Sequence, residues 1–221
     1  MYQFFVILMG TALLGSCGQR SPEQKELAPR TEVQPTQSVP VFSGEQAYRY
    51  LCQQTDFGPR NPNSPGHSAC LRFLALTLGA AADEIRLQEF THEGYDRESL
   101  PLTNVVAAFL PSMKERILLC AHWDTRPRAD QDENRKRRNE PILGANDGAS
   151  GVAVLLEIAR MLKVARPSIG VDIVLFDGED YGREGDHERY LLGSRYFAKT
   201  KEASYNPRFG ILLDMIGDKF L

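Results

Sequence analysis

Ile117-Leu118-Leu119-Cys120-Ala121 is apolar at every position. A strand that is apolar on both of its faces must be covered on both, which places it inside a sheet with helices on each side. Val171 to Phe176 reads as a second buried strand and Phe209 to Ile216 as a third. Between them, Gly151 to Lys163 sets Val152, Leu155, Leu156, Ala159 and Leu162 at helical spacing, and Leu191 to Lys199 reads as another helix. Strand, helix, strand, helix, strand predicts an α/β fold, a mostly parallel mixed sheet sandwiched by helices.

The segments upstream of that frame agree with it. Ser43 is a suitable N-cap for a helix running to about Gln54. FGPRNPNSPG is too rich in Pro, Gly and Asn for regular structure. Ala69, Leu71, Phe73, Leu74 and Leu76 then mark a helix over Gly66 to Leu78, with Gly79 as its stop. Glu84 to Phe90 alternates, which predicts a strand with Ile85, Leu87 and Phe90 inward. Thr103 to Leu110, with Val105, Val106, Phe109 and Leu110, is the next strand.

At 221 residues the chain has room for one domain and its tails. Hydrophobic residues make up 42% and charged residues 25%, a globular balance. A net charge of -3 gives no reason to seek nucleic acid or acidic lipid, and the aromatic residues, 9% of the chain, are not interleaved with basic ones. Residues 1–16 read as a signal peptide: Phe4 to Met9 and Thr11 to Leu14 are apolar but too short to span a bilayer. They end in Leu14-Gly15-Ser16-Cys17, which resembles the lipobox of bacterial lipoproteins. The expectation is an exported protein, lipidated on Cys17 and facing the periplasm or cell surface. A plain secretory signal is the alternative. Residues 17–42, polar and proline-rich, read as a disordered tether, and 43–221 as the catalytic domain. In an exported chain Cys52 and Cys70 are candidates for a disulfide between neighbouring helices, whereas Cys120 reads as a buried thiol.

Ligands in such folds gather beyond the carboxyl ends of the strands. His122-Trp123-Asp124 follow the first buried strand and Asp177-Gly178-Glu179-Asp180 the second. Asp214 lies in the last, and Gly144-Ala145-Asn146-Asp147-Gly148 precedes the long helix. Each alone has an ordinary explanation: a helix cap for Asp147, an acidic turn for Glu179 and Asp180, a structural histidine for His122. Asp214 in an apolar strand is costly unless something charged or hydrogen-bonding meets it. Together, one imidazole and several carboxylates on one rim are a donor set that zinc accepts. Arg126 to Glu140, with Arg135-Lys136-Arg137-Arg138 among acidic residues, reads as a solvated loop over this rim.

CAHWDTRP, GANDGASG, FDGEDYG, LLGSR and LLDMIGD, in this order and after FGPRNPNSPGH, resemble the bacterial glutaminyl cyclases and their zinc aminopeptidase relatives. The resemblance implies zinc, one ion or two, with Asp147 and Asp180 as ligands and Glu179 as general acid/base. It puts Asp214 at a substrate-amine and proton-relay position. His122 and Asp124 match a His-x-Asp pair that holds a second metal in aminopeptidases and is supporting structure in cyclases. The substrates implied are peptides with a free N-terminus, glutamine favoured. An aminopeptidase and a non-catalytic lipoprotein module stay open as alternatives.

Three features depart from the family. The ligand pair is Glu-Asp where many relatives have Glu-Glu. The loop from Gly182 to Arg189 has no tryptophan, which leaves Tyr190 as the candidate aromatic against substrate. The family's last ligand, a distal histidine, has no counterpart among His67, His92, His122 and His187. The sequence is therefore expected to be a fragment, with His187 a poor substitute.

Overall fold

The computed structural model describes residues 39–217, so Cys17, the signal segment and most of the expected tether lie outside the described residues. The elements in chain order are α1 (Gly44–Asp56), α2 (Pro65–Gly79), β1 (Glu84–Glu93), β2 (Ser99–Phe109), β3 (Arg116–His122), α3 (Ala149–Val164), β4 (Gly170–Phe176), α4 (Leu192–Thr200) and β5 (Gly210–Leu212). No helix among them is long and apolar enough to cross a membrane.

Five strands form one mixed sheet in the order β1-β2-β4-β3-β5. Its parallel part is β4, β3 and β5. β2 joins β4, and β1 joins β2, antiparallel. The wholly apolar strands are explained by which face each residue serves. Val105, Ala107, Phe109, Leu119, Ala121, Val171, Ile173 and Leu175 enter the core with Leu74 and Leu78 of α2 and Val152, Leu155 and Leu156 of α3. Their alternates Val106, Leu118, Cys120, Val174 and Phe176 pack with Phe197 of α4 and Tyr205 on the other face. Strand residues point alternately to opposite faces, so covering both faces makes consecutive positions apolar.

The helix ends follow local chemistry. Ser43 Oγ accepts a hydrogen bond from the backbone N–H of Gln46 at 3.1 Å, as an N-cap does. α2 starts one residue before the expected point because Ser64 caps it, accepting from His67 N–H at 3.0 Å, with Pro65 in its first turn.

Three expectations need correction. Ile85 and Leu87 are exposed at 40% and 43%, while the polar Gln88 is buried, because β1 is an edge strand covered on little of its length. The last strand is three residues rather than eight, and its side chains are exposed at the other sheet edge. Cys52 and Cys70 are free thiols, not a disulfide. α1 packs on α3 and α2 on β1 and β2, so the two helices are not packing partners, and Cys70 lies wholly inside the core, where burial pushes its pKa up to about 12.

Leu155→Ala should cost about 3 kcal/mol of unfolding free energy, since a fully buried leucine leaves a cavity. Leu76→Ala, at a side chain 75% exposed, should stay within about 0.5 kcal/mol of the parent. Urea titrations of the two variants check the contrast.

Candidate metal centre

The carboxyl ends of β3, β4 and β5 converge with the start of α3. His122 is the last residue of β3, and its Nε2 lies 2.9 Å from Asp147 Oδ1 and 3.5 Å from Asp214 Oδ1. Both contacts fall off the hydrogen-bonding direction, so Nε2 is buried without a hydrogen-bond partner. Ligand atoms of His122, Asp147 and Asp214 all lie within 4.8 Å of one another, a spacing that suits a single cation. Asp147 does not cap α3, whose N-cap is Gly148 with no side-chain bond.

Asp124 is fully buried and links two strand ends. Its Oδ1 accepts from Glu179 N–H at 2.9 Å, its Oδ2 accepts from Asp180 N–H at 3.2 Å, and Oδ1 lies 3.4 Å from His122 Nδ1. One carboxylate thus orients the imidazole and fixes the turn that carries Glu179 and Asp180. Gly148 sits at φ +87°, where a Cβ would come within 2.8 Å of the Asp124 carbonyl oxygen and 3.2 Å of His122 Cε1. Only glycine lets the Asp147 loop approach β3 this closely.

The layer beneath holds residues that sequence reasoning left without roles. Asp177 accepts from Thr103 N–H at 2.6 Å and meets His67 Nε2 at 2.9 Å, and His67 stacks on Trp123 with ring centres 4.4 Å apart. Arg60 is completely buried and donates to the carbonyls of Trp123, Leu143 and Gly144 at 2.8–3.1 Å. It therefore ties the segment bearing Asp124 to the loop bearing Asp147. Arg60 and His67 both lie in the FGPRNPNSPGH segment, so a signal existed, but the contacts span 63 to 110 residues.

Asp180 stands outside the 4.8 Å group. Its Oδ1 accepts from Arg126 Nη1 at 3.1 Å, and its Oδ2 is buried with no partner. The orphaned oxygen fits a cation held beside it, as does a donor set of imidazole and carboxylates. Arg126 also donates to Tyr190 Oη at 2.7 Å, and Arg128 donates to the carbonyls of Tyr181 and Gly182. The loop expected to be solvated is so along Arg135 to Arg138, but its start is pinned to the rim. His187 forms a short 3-10 turn with Glu188 and Arg189 and is not part of the metal-ligand group. Asp214 lies beyond β5 with its side chain 42% exposed, and His122, 3.5 Å away, is the charged or hydrogen-bonding partner that the sequence required of it. A cavity of about 650 Å³ lies at the opposite end of β4, against Arg116, Asp172 and Tyr205, away from these carboxylates.

Residues 104–220 match the sequence profile of peptidase family M28. The chain belongs to peptidase family M28. It is 46% identical to a glutaminyl cyclase of Bacteroides thetaiotaomicron, solved bound to N-acetylhistamine, over 82% of this chain and 65% of that one, with a TM-score of 0.78. A Zn-dependent exopeptidase from Parabacteroides distasonis is 40% identical over 82% of this chain and 64% of that one, with a TM-score of 0.79. The glutaminyl-peptide cyclotransferase of Bos taurus is 25% identical over 76% of this chain, which spans 52% of its length. The resemblance to bacterial glutaminyl cyclases and the sandwiched mixed sheet are thus borne out.

The M28 site concentrates negative charge away from water. Burial pushes Glu179 up to about 7; His122 pulls it back, and Asp124, Asp214 and Asp147 push it further up. Burial and then Asp147 push Asp180 up to about 7, against Arg126. Burial alone would lower the His122 pKa, but Asp124, Asp147 and Asp214 override it and raise it well above the usual histidine value. An imidazolium and a divalent metal such as zinc are alternative countercharges for these carboxylates, and metal ligation requires the neutral ring.

A carboxyl group whose pKa rises on folding binds its proton more tightly in the folded state, so stability falls as pH rises from its unfolded value, about 4.3, to about 7. Glu179→Gln removes that dependence. In metal-free protein, the melting temperature of Glu179→Gln should gain on the parent between pH 5 and 7 and then level off. Calorimetry across that range tests it, and a difference independent of pH would contradict the burial assignment.

Proposed function

We propose that the protein is a zinc-dependent glutaminyl-peptide cyclotransferase, converting the N-terminal glutamine of peptides to pyroglutamate with release of ammonia. The 46% identity to a glutaminyl cyclase over most of this chain carries the reading. Asp147 and Asp180 would hold one Zn2+, with His122 and Asp214 beside it as supporting groups or as donors to a second. Zinc bound there supplies a Lewis acid for the γ-carbonyl of the substrate glutamine.

The residues of this chain do the rest. The substrate's own α-amine attacks its side-chain amide carbon, forming the ring C–N bond as the bond to the leaving nitrogen breaks. Glu179 takes the proton that the amine loses and delivers it to that nitrogen, which departs as ammonia. A group exchanging protons both ways at neutral pH works best with a pKa near 7, and burial raises Glu179 in that direction. Asp214, close to Glu179 and half in solvent, would accept a hydrogen bond from the neutral α-amine of the substrate and orient it for attack. Tyr190 would face the substrate side chain from the rim. A second reading, a zinc aminopeptidase, draws on the exopeptidase relative and needs a water molecule in place of the substrate amine as nucleophile.

Cys17 is proposed to carry a lipid that tethers residues 43–221 outside the inner membrane, on the strength of Leu14-Gly15-Ser16-Cys17. Cys17→Ser should move the protein from the membrane fraction to the soluble fraction.

Zinc-loaded, full-length protein should convert Gln-β-naphthylamide to its pyroglutamyl form and leave Leu-p-nitroanilide intact. Leucine release without ammonia would make it an aminopeptidase, and inactivity on both with zinc bound would leave a binding module. Glu179→Gln should lower turnover on the order of 100-fold while keeping zinc, and Asp147→Ala should lose the metal. Full activity of Glu179→Gln would refute its role.

A further inference from the structure

We infer that Arg126 is a positioning residue for the metal centre: its guanidinium pins one oxygen of Asp180 and reserves the other for the cation. This rests on the proposed reading of Asp180 as a ligand. The arrangement is specific to a planar fork. Arg126 Nη1 donates to Asp180 Oδ1 at 3.1 Å, and Nη2 donates to Asp130 Oδ2 at 3.0 Å and to Tyr190 Oη at 2.7 Å. Nε lies 2.9 Å from Asp130 Oδ1, and the guanidinium carbon is 5.6 Å from the centre of the Tyr190 ring. Asp130 therefore holds the back of the fork by one hydrogen bond, at Nη2, with Nε in charge contact only, and Nη1 on the other side is left to Asp180.

Burial separates this pair from an ordinary surface ion pair. The Arg126 side chain is 19% exposed and that of Asp180 only 7%. A screened, mobile pair would orient nothing, but a desolvated one has few alternative geometries. The remaining oxygen, Asp180 Oδ2, is buried and unpartnered, which is the condition expected of an atom kept free for a ligand. Arg126 lies four residues beyond His122 on the same segment, so the strand end that supplies the imidazole also sets the carboxylate from the neighbouring strand. Through Tyr190, the same guanidinium couples the metal side of the cleft to its substrate rim.

The opposing possibility is that Arg126 competes with the cation for Asp180. The two differ in sign. If Arg126 positions Asp180, Arg126→Met in the full-length protein should weaken zinc binding by roughly tenfold or more, as loss of a group orienting a ligand does. Arg126→Lys should recover only part of that loss, because an ammonium carries its donors on one nitrogen and cannot reach acceptors spread around a planar fork. Arg137→Met, which alters an exposed arginine of the same loop, should bind zinc like the parent. Chelator competition measures the affinities, and the visible absorption of Co2+-loaded protein should shift in Arg126→Met but not in Arg137→Met. Unchanged or tighter zinc binding in Arg126→Met overturns the inference. If that variant does not fold, Arg126→Lys decides by the same criterion. Asp180→Asn run in parallel separates the two levels: normal zinc affinity there removes Asp180 as a ligand and the inference with it. Weakened affinity in Asp180→Asn together with normal affinity in Arg126→Met overturns the inference alone.

Discussion

A single buried carboxylate, that of Asp124, holds the ends of two strands in register. It accepts the backbone N–H groups of Glu179 and Asp180 and lies against His122 Nδ1. β3 and β4 are parallel neighbours, and nothing in their ladder dictates how the chain turns beyond His122 and Phe176. Two N–H groups converging on one carboxylate settle that turn, and His122 first, then those two N–H groups, hold the Asp124 pKa low despite complete burial. The turn presenting Glu179 and Asp180 thus depends on Asp124 staying ionised.

Keeping it ionised is an electrostatic problem shared by the whole rim. Asp124, Asp147, Asp177, Glu179, Asp180 and Asp214 crowd a region whose nearest basic side chains are His122, His67, Arg60 and Arg126. Arg60 is too deep to ion-pair with any of them and spends its donors on carbonyl groups. Burial first and then the neighbouring carboxylates penalise the charged forms, which is why Glu179 and Asp180 rise to about 7. A divalent cation relieves the same repulsion that the bound protons relieve, so metal binding and proton release are coupled by construction.

Much of this was legible in the sequence because it depends on local pattern. An unbroken apolar run such as Ile117 to Ala121 has few ways to be buried, and the motif residues follow such runs directly. The helix cap at Ser43 is equally local. What sequence reasoning missed depends on which partner arrives. Ile85 and Leu87 alternate as a half-buried strand would, yet their strand lies at an edge. Asp214 was expected to need a charged or hydrogen-bonding partner, and only the fold shows that this is His122. Cys52 and Cys70 shared an expected helix pair, but each helix chose another neighbour. Arg126 looked like one of many loop arginines, and only the fold shows that its guanidinium meets Asp180.

In the proposed mechanism Glu179 carries a proton and Asp180 holds the metal, although they are adjacent carboxylates both raised by burial. Each has its backbone held by Asp124, and each is raised to about 7 by burial and by neighbouring carboxylates. The difference is in the side chains. Asp180 has one oxygen fixed by an arginine that is itself gripped by Asp130, so it is short of freedom and suited to hold something still. Glu179 has no ion pair among the described residues and a longer side chain, so it can swing a proton between two positions. A proton carrier must move and a ligand must not. Under the proposed roles, the Glu-Asp order, in which the longer carboxylate is free and the shorter one is clamped, meets both demands from a single turn.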